Sequence, residues 1–252
     1  MAVRSALALV VVMLTGCVTT GDVDPLKTTE GRDKARDAFI ELGIGYLERG
    51  ATERAKAPLQ QALTLDPKSA DAHMALALAF QLEMENTLAE QHFQKALSLS
   101  PDNARLLNNY GGFLYELGRY KDALTVFSKA SEDNMYSERS RVFENLGLTA
   151  LKLNDNAAAK QYFTRALRLN AQQPRALFEM AELAYQEQDF VSARNYYESF
   201  SKLSSQDARS LLLGVRLATL FDDRSKAASL GLQLRRFYPG TVQYQQYLSE
   251  LQ

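Results

Sequence analysis

Small and large apolar residues recur along most of the chain at an interval close to 34 residues. Large residues flank each small one at fixed distances, as Leu42 and Leu59 flank Gly43 at one residue before and sixteen after. An alanine follows twelve residues after each of the first five small residues, beginning with Ala55. This pattern predicts pairs of antiparallel helices that approach closely at the small residues and are sealed by the large ones. The small residues that set the period are Gly43, Ala77, Gly111, Gly147, Ala181 and Gly214.

The period resembles that of the tetratricopeptide repeat family, which implies an all-α superhelix of six helix-turn-helix repeats over one domain, residues 34–252. Two extra residues before the fourth repeat predict a longer loop there. The sixth repeat fits least well, with Ser210 at a usually apolar position. Tyr244, Tyr247 and Leu251 have helical spacing and predict a helix that caps the last repeat. The predicted repeats are 36–69, 70–103, 104–137, 140–173, 174–206 and 207–240.

The first 16 residues have the pattern of a bacterial export signal, with Arg4 before an apolar run too short to span a membrane. The junction Leu14-Thr15-Gly16-Cys17 resembles the lipobox of bacterial lipoproteins, which implies cleavage before Cys17 and lipidation of this single cysteine. An ordinary signal peptide with an incidental cysteine is the alternative. Residues 17–33 then form a flexible tether. Val18 in place of Asp implies, by the same resemblance, an outer-membrane protein that faces the periplasm.

Composition and motifs exclude several classes of function. The 29 Lys and Arg nearly balance the 30 Asp and Glu, so we expect no nucleic-acid binding. No phosphate-binding glycine loop and no GxSxG elbow occurs, and His73 and His92 lack the spacing of a metal site. The sequence therefore predicts a protein that is not an enzyme and that has no metal, no cofactor and no small-molecule substrate.

The concave surface of a repeat superhelix is the natural place for a protein partner. Family geometry puts two groups of side chains on it. The first group is apolar and belongs to repeats one and two: Ile40, Ile44, Leu47, Leu78 and Leu82. The second is polar and belongs to repeats three to five: Arg105, Asn108, Asn109, Arg141, Asn145 and Arg175.

Each group has a purely structural alternative. The apolar side chains are equally able to cover one another or to be covered by the tether. The arginines are equally able to pair within the chain, with Glu144 and Glu179 as the available carboxylates.

Three stretches resemble the pilotin lipoproteins of type IV pilus biogenesis: residues 108–116 (NNYGGFLYE), 141–148 (RVFENLGL) and 208–214 (ARSLLLG). The resemblance implies a partner for the outer-membrane secretin. Such a protein binds secretin subunits in the periplasm, and its acyl chains carry them to the outer membrane, where they assemble into a ring. The alternative is a repeat lipoprotein scaffold of another envelope machine, for outer-membrane protein insertion or peptidoglycan synthesis.

Overall fold

The structure is a computed structural model that describes residues 25–251. Cys17, the export signal and residues 17–24 of the predicted tether lie outside the described residues. A short 3-10 helix, Pro25–Lys27, precedes thirteen α-helices in the described part of the chain. The helices are α1 (Thr29–Glu48), α2 (Thr52–Leu65), α3 (Ala70–Leu82), α4 (Asn86–Leu99), α5 (Ala104–Glu116), α6 (Tyr120–Ala130), α7 (Arg139–Lys152), α8 (Asn156–Leu169), α9 (Pro174–Gln186), α10 (Phe190–Ser201), α11 (Ala208–Leu220), α12 (Arg224–Phe237) and α13 (Val242–Glu250).

The turns inside the repeats share one backbone conformation. Each places a residue with φ between 56° and 73° just after its first helix. The next amide donates back to the last turn of that helix, as Glu85 N–H does to the Phe80 carbonyl at 2.9 Å. These bonds satisfy carbonyls that the helix end would leave unpaired. The six residues are Gly50, Met84, Gly118, Asn154, Gln188 and Asp222.

The small residues do bring the paired helices together. A Cβ added at Gly147 would lie 2.5 Å from the ring of Phe163, and one at Gly43 would lie 2.5 Å from Leu59. Both of these partners are fully buried. Close approach at the small residues, sealed by a large apolar residue, is therefore confirmed.

The first repeat departs from the sequence prediction at Leu42. This side chain is 49% exposed, whereas its counterpart in the second repeat, Leu76, is 1% exposed. Leu76 packs against Ala55 and Leu59 of the repeat before it. Because no repeat in the described part of the chain covers this face of α1, placing Leu42 in a sealed seam was wrong.

The start of the repeat body also differs from expectation. Helix α1 begins at Thr29, inside the stretch interpreted as tether. The Thr28 hydroxyl caps this helix by accepting the Gly31 N–H at 3.0 Å. Arg32 donates to the Leu65 carbonyl at 2.8 Å and ties the extra turn to α2.

The polar residue at a usually apolar position of the sixth repeat has a local structural role. Ser210 is completely buried, and its hydroxyl accepts the Asp207 N–H at 2.8 Å while the Asp207 carboxylate accepts the Ser210 N–H at 2.8 Å. This reciprocal arrangement satisfies free amides at the start of α11. Helix α13 then closes the solenoid, with the Tyr247 ring against Gly231, which confirms the predicted capping helix.

Candidate functional site

The first helices of the repeats line the inner side of the solenoid. Helices α1, α3, α5 and α7 each contact the next first helix along, whereas the described second helices show no comparable contacts with one another. The first helices therefore converge on the concave side, and the second helices lie outside. All eleven groove residues predicted from the sequence lie on these first helices.

The apolar group is largely covered by the chain itself. Ile40 is 8% exposed and packs with Ala62 and Ala72. Ile44 and Leu47 are half-buried against the core of the first two repeats, and Leu78 is half-buried against the central core. Leu82 differs, since it is 59% exposed at the end of α3. Contacts within the chain therefore bury much of the apolar group. Leu82 is the member of this group that exposes most of its side chain.

The polar group forms a chain of contacts between successive repeats. The Arg105 guanidinium lies 2.6 Å from the Asp71 carboxylate of the preceding repeat. Asn145 donates to the Asn108 side-chain carbonyl at 3.0 Å, which again joins two repeats. Asn109 approaches the Met74 sulfur at 3.4 Å. These bonds fix the curvature of the groove and leave fewer free polar atoms than the sequence suggested.

The arginines and carboxylates pair differently from the expected alternative. Glu179 is held by Arg209 of the next repeat, at 3.1 Å, and not by Arg175. Arg141 lies 3.6 Å from Glu138, the N-cap residue of its own helix. No carboxylate among residues 25–251 lies within salt-bridge distance of Arg175. Arg175 is exposed, so it offers a cation to a ligand.

Glu144 acts at the junction of repeats four and five. Burial raises the pKa of its carboxyl, while the charge of Arg175 and a hydrogen bond from the Ala176 N–H act in the opposite direction. That amide lies in the first turn of α9, where a helix has unpaired N–H groups. Glu144 therefore caps the following repeat and accounts for one of the carboxylates near the arginines.

A pocket of about 350 Å³ opens on the concave side between repeats three, four and five. Phe127 and Leu148 provide apolar lining, Tyr115 an aromatic wall, and Asn145 and Arg175 polar groups. Sequence reasoning selected the last two and missed the others. Gly112 borders this space, and a Cβ at this position would meet nothing within 4 Å. The sequence signal for this pocket was a glycine, Gly112, at an inward-facing position next to Gly111, which packs between the paired helices.

The described residues contain no cluster of three or more potential metal ligands. His73 and His92 face each other instead, with 3.1 Å between their Nδ1 atoms, and His73 Nε2 lies 3.3 Å from the Pro67 carbonyl. No helix between residues 25 and 251 is long and apolar enough to cross a membrane.

Comparison with known proteins identifies the fold and the family. The tetratricopeptide repeat family matches residues 102–172 with one profile and residues 40–83 and 145–208 with another. The type IV pilus assembly protein PilF of Pseudomonas aeruginosa is 58% identical over 251 residues, which cover 99% of this chain and 100% of that protein.

Solved structures agree with this relationship. The structure of Pseudomonas aeruginosa PilF superposes with a TM-score of 0.86 at 57% identity, covering 87% of this chain and 99% of that one. The type IV pilus biogenesis factor PilW superposes with a TM-score of 0.72 at 28% identity, covering 84% and 98%.

These relatives match the repeats and the groove-lining helices together, not a single motif. The predicted all-α repeat superhelix is confirmed, and so is the prediction that the protein is not an enzyme, because the family is a non-enzymatic one. The chain belongs to the PilF family of type IV pilus assembly proteins, built of tetratricopeptide repeats.

Proposed function

We propose that this protein is a lipid-anchored pilotin, which binds secretin subunits in the periplasm and promotes their localisation and multimerisation at the outer membrane. The observation that carries the proposal is the match to PilF along essentially the whole chain. The alternative role in another envelope machine has no such support.

The anchor in this proposal is Cys17, acylated after removal of residues 1–16. Several acyl chains on one residue exceed the two anchoring signals that stable membrane attachment needs. Residues 17–28 would then connect the lipid to the solenoid, since α1 begins at Thr29. The assembly function needs only binding energy and membrane partitioning, so it fits a protein without catalytic groups.

The client segment, in this proposal, lies along the first helices. Leu82 offers open apolar surface at one end of the concave side, and the pocket lined by Gly112, Tyr115 and Leu148 offers a shaped apolar recess further along. The unpaired cation of Arg175 stands beside this recess. Together they suit an extended secretin segment with an apolar side chain in the pocket and a carboxylate or backbone carbonyl at Arg175.

Purified protein and the soluble region of its secretin test the groove by calorimetry. Leu82→Asp is a suitable variant because the side chain is exposed and its loss leaves no cavity, whereas Ile40 is buried and would report on folding. We expect Leu82→Asp or Arg175→Glu to weaken secretin binding at least about tenfold, which is the size of one lost hot-spot contact. Leu220→Asp is the matched control, because Leu220 is 49% exposed at the same end of its first helix.

Normal binding by both groove variants would contradict the assignment of the concave side. Loss by Leu82→Asp alone would place the client at the apolar end, and loss by Arg175→Glu alone would place it at the polar pocket. Cys17→Ala tests the anchor separately: we expect a folded protein that leaves the membrane fraction, and unchanged fractionation would refute lipidation.

A further inference from the structure

The second helices of the solenoid differ in charge between its two halves. Helices α2, α4 and α6 carry five Lys and Arg and three Asp and Glu. Helices α8, α10 and α12 carry eight Lys and Arg and a single acidic residue, Glu198. The outer side of repeats four to six is thus strongly basic in a protein whose net charge is -1.

Part of this charge lies at the carboxyl ends of these helices, next to large apolar residues. A cation is followed directly by an exposed apolar side chain at the end of all three: Arg168-Leu169, Lys202-Leu203 and Arg236-Phe237. Leu169 is 50% exposed, Leu203 42% and Phe237 61%. The first three repeats lack this pairing, since their second helices end in Thr64-Leu65, Ser98-Leu99 and Lys129-Ala130. We call the six paired residues of repeats four to six the basic edge.

The cations of the basic edge have no partner of opposite charge. Arg168, Lys202 and Arg236 are exposed and form no ion pair with any residue in the range 25–251. Arg165, one turn before Arg168, is also unpaired and lies 4.5 Å above the Phe143 ring. Arg165 and Arg168 border an outward-facing cavity of about 920 Å³, in which Glu187 is already neutralised by Lys160.

Acidic residues lie at the opposite ends of the same helices. Asp155, Asp189 and Asp223 cap the amino termini of α8, α10 and α12, and each accepts a backbone N–H within its helix. Their position complements the helix dipoles and places these three carboxylates at the ends of the helices away from the basic edge. The acidic caps therefore do not neutralise the cations of the basic edge, which lie at the other end of each helix.

We propose that the basic edge is a docking surface for an anionic phospholipid membrane. Cations beside exposed Leu and Phe side chains are the composition of interfacial membrane-binding surfaces, where the cations meet phosphates and the apolar groups enter the headgroup boundary. An acidic protein partner would use the cations but gives no reason for an apolar residue beside each one. The inference rests on the proposed lipid anchor, which keeps the solenoid close enough for a weak surface to act.

Docking by this edge would set the orientation of the solenoid. The lipid anchors the amino-terminal end, and the basic edge adds a second attachment at repeats four to six. The superhelix then lies along the membrane, held at both ends, and does not swing freely from its tether.

Vesicle binding tests the proposal with matched variants of the full chain. The probes are vesicles of phosphatidylcholine alone and of phosphatidylcholine with one quarter phosphatidylglycerol, and the readout is the partition coefficient from co-sedimentation at low salt. The edge variant is Arg168→Glu with Lys202→Glu and Arg236→Glu. The control variant makes the same change in net charge at exposed, unpaired cations of the other half, Arg49→Glu with Lys95→Glu and Lys121→Glu. Every chain also carries Cys17→Ala, because acyl chains alone would hold all variants on the vesicles and hide the difference between them.

Each cation near an anionic surface contributes about a fivefold factor in binding, so we expect the edge variant to lose about 100-fold on anionic vesicles. We expect the control to lose no more than about threefold, and the difference to shrink at high salt, where exposed charges are screened. Leu169→Ser with Leu203→Ser and Phe237→Ser should also weaken binding without a change in charge. Circular dichroism confirms that each variant is folded.

If the edge and control variants lost vesicle binding equally, the loss would be explained by net charge alone and the proposal would be overturned. No loss in the edge variant would overturn it as well. Normal vesicle binding with a loss of secretin binding would assign the edge to an acidic protein instead. Because vesicle binding involves no secretin, its failure would leave the proposed pilotin function standing, and failure of the groove variants would leave the membrane surface standing.

Discussion

Alanine substitutions at two adjacent glycines on α5, Gly111 and Gly112, should have different effects on stability. An alanine at either position removes the backbone entropy cost of a helical glycine, a gain of about 1 kcal/mol in the free energy of unfolding. A Cβ at Gly111 would lie 2.6 Å from the ring of Phe127, which is 1% exposed. A Cβ at Gly112 would meet nothing within 4 Å.

The structure therefore predicts that Gly112→Ala stabilises the protein by about 1 kcal/mol. Gly111→Ala gains the same amount but overpacks the interface between α5 and α6, at a cost of about 1 to 3 kcal/mol. The two variants should differ by that cost, because their helix propensities cancel. Each kcal/mol moves the thermal midpoint of a domain of this size by about 2 to 4 °C.

Thermal and urea unfolding followed by circular dichroism measure the difference. Since Gly112 borders the concave pocket, its alanine variant should also bind the secretin more weakly even though it is more stable. Equal shifts for the two variants would refute the assignment of Gly111 to the packed interface. Unchanged secretin binding by Gly112→Ala would argue against the pocket as part of the client site.

Three further predictions concern stability. Met84→Gly should raise the free energy of unfolding by about 1 kcal/mol, because the φ of 61° at Met84 strains a residue that carries a side chain. Gly118→Ala, in the equivalent turn, should lower the free energy of unfolding by a similar amount. Urea unfolding measures both changes. Burial lowers the pKa of His73 and of His92, so the folded state resists protonation. Stability should therefore fall as the pH drops below about 6.5, and His92→Gln should reduce this slope in urea midpoints measured between pH 7.5 and 5.5. Ser210→Ala should cost about 1 kcal/mol through loss of its reciprocal cap, and an unchanged midpoint would contradict that role.

The fold follows from the sequence because its repeats make the same contacts again and again. Each repeat contains a small residue, an alanine twelve residues later and a large residue that packs between the two helices. These residues make contacts only within their own repeat or with a neighbouring one. The exceptions occur where a neighbour is missing. Leu42 has the residue type of a buried position, but no repeat precedes α1 within residues 25–251 and the side chain is 49% exposed.

The candidate site was less accessible to sequence reasoning. Helical spacing places Arg105 and Asn108 on the inner side, but their partners lie on neighbouring repeats, 34 and 37 residues away. The choice of partner depends on side-chain reach across the curved surface, which the repeat pattern does not encode. Gly112 borders the concave pocket, but in the sequence a glycine next to Gly111 looks like part of the same packing contact.

The central claim is that this protein brings secretin subunits to the outer membrane. The most direct measurement is the amount of secretin multimer in the outer-membrane fraction of a deletion strain, complemented with the wild-type chain or with Cys17→Ala. We predict that the deletion removes multimers from the outer membrane, that the wild-type chain restores them, and that Cys17→Ala leaves them reduced or in the wrong membrane. Normal outer-membrane multimers in the deletion strain would contradict the account.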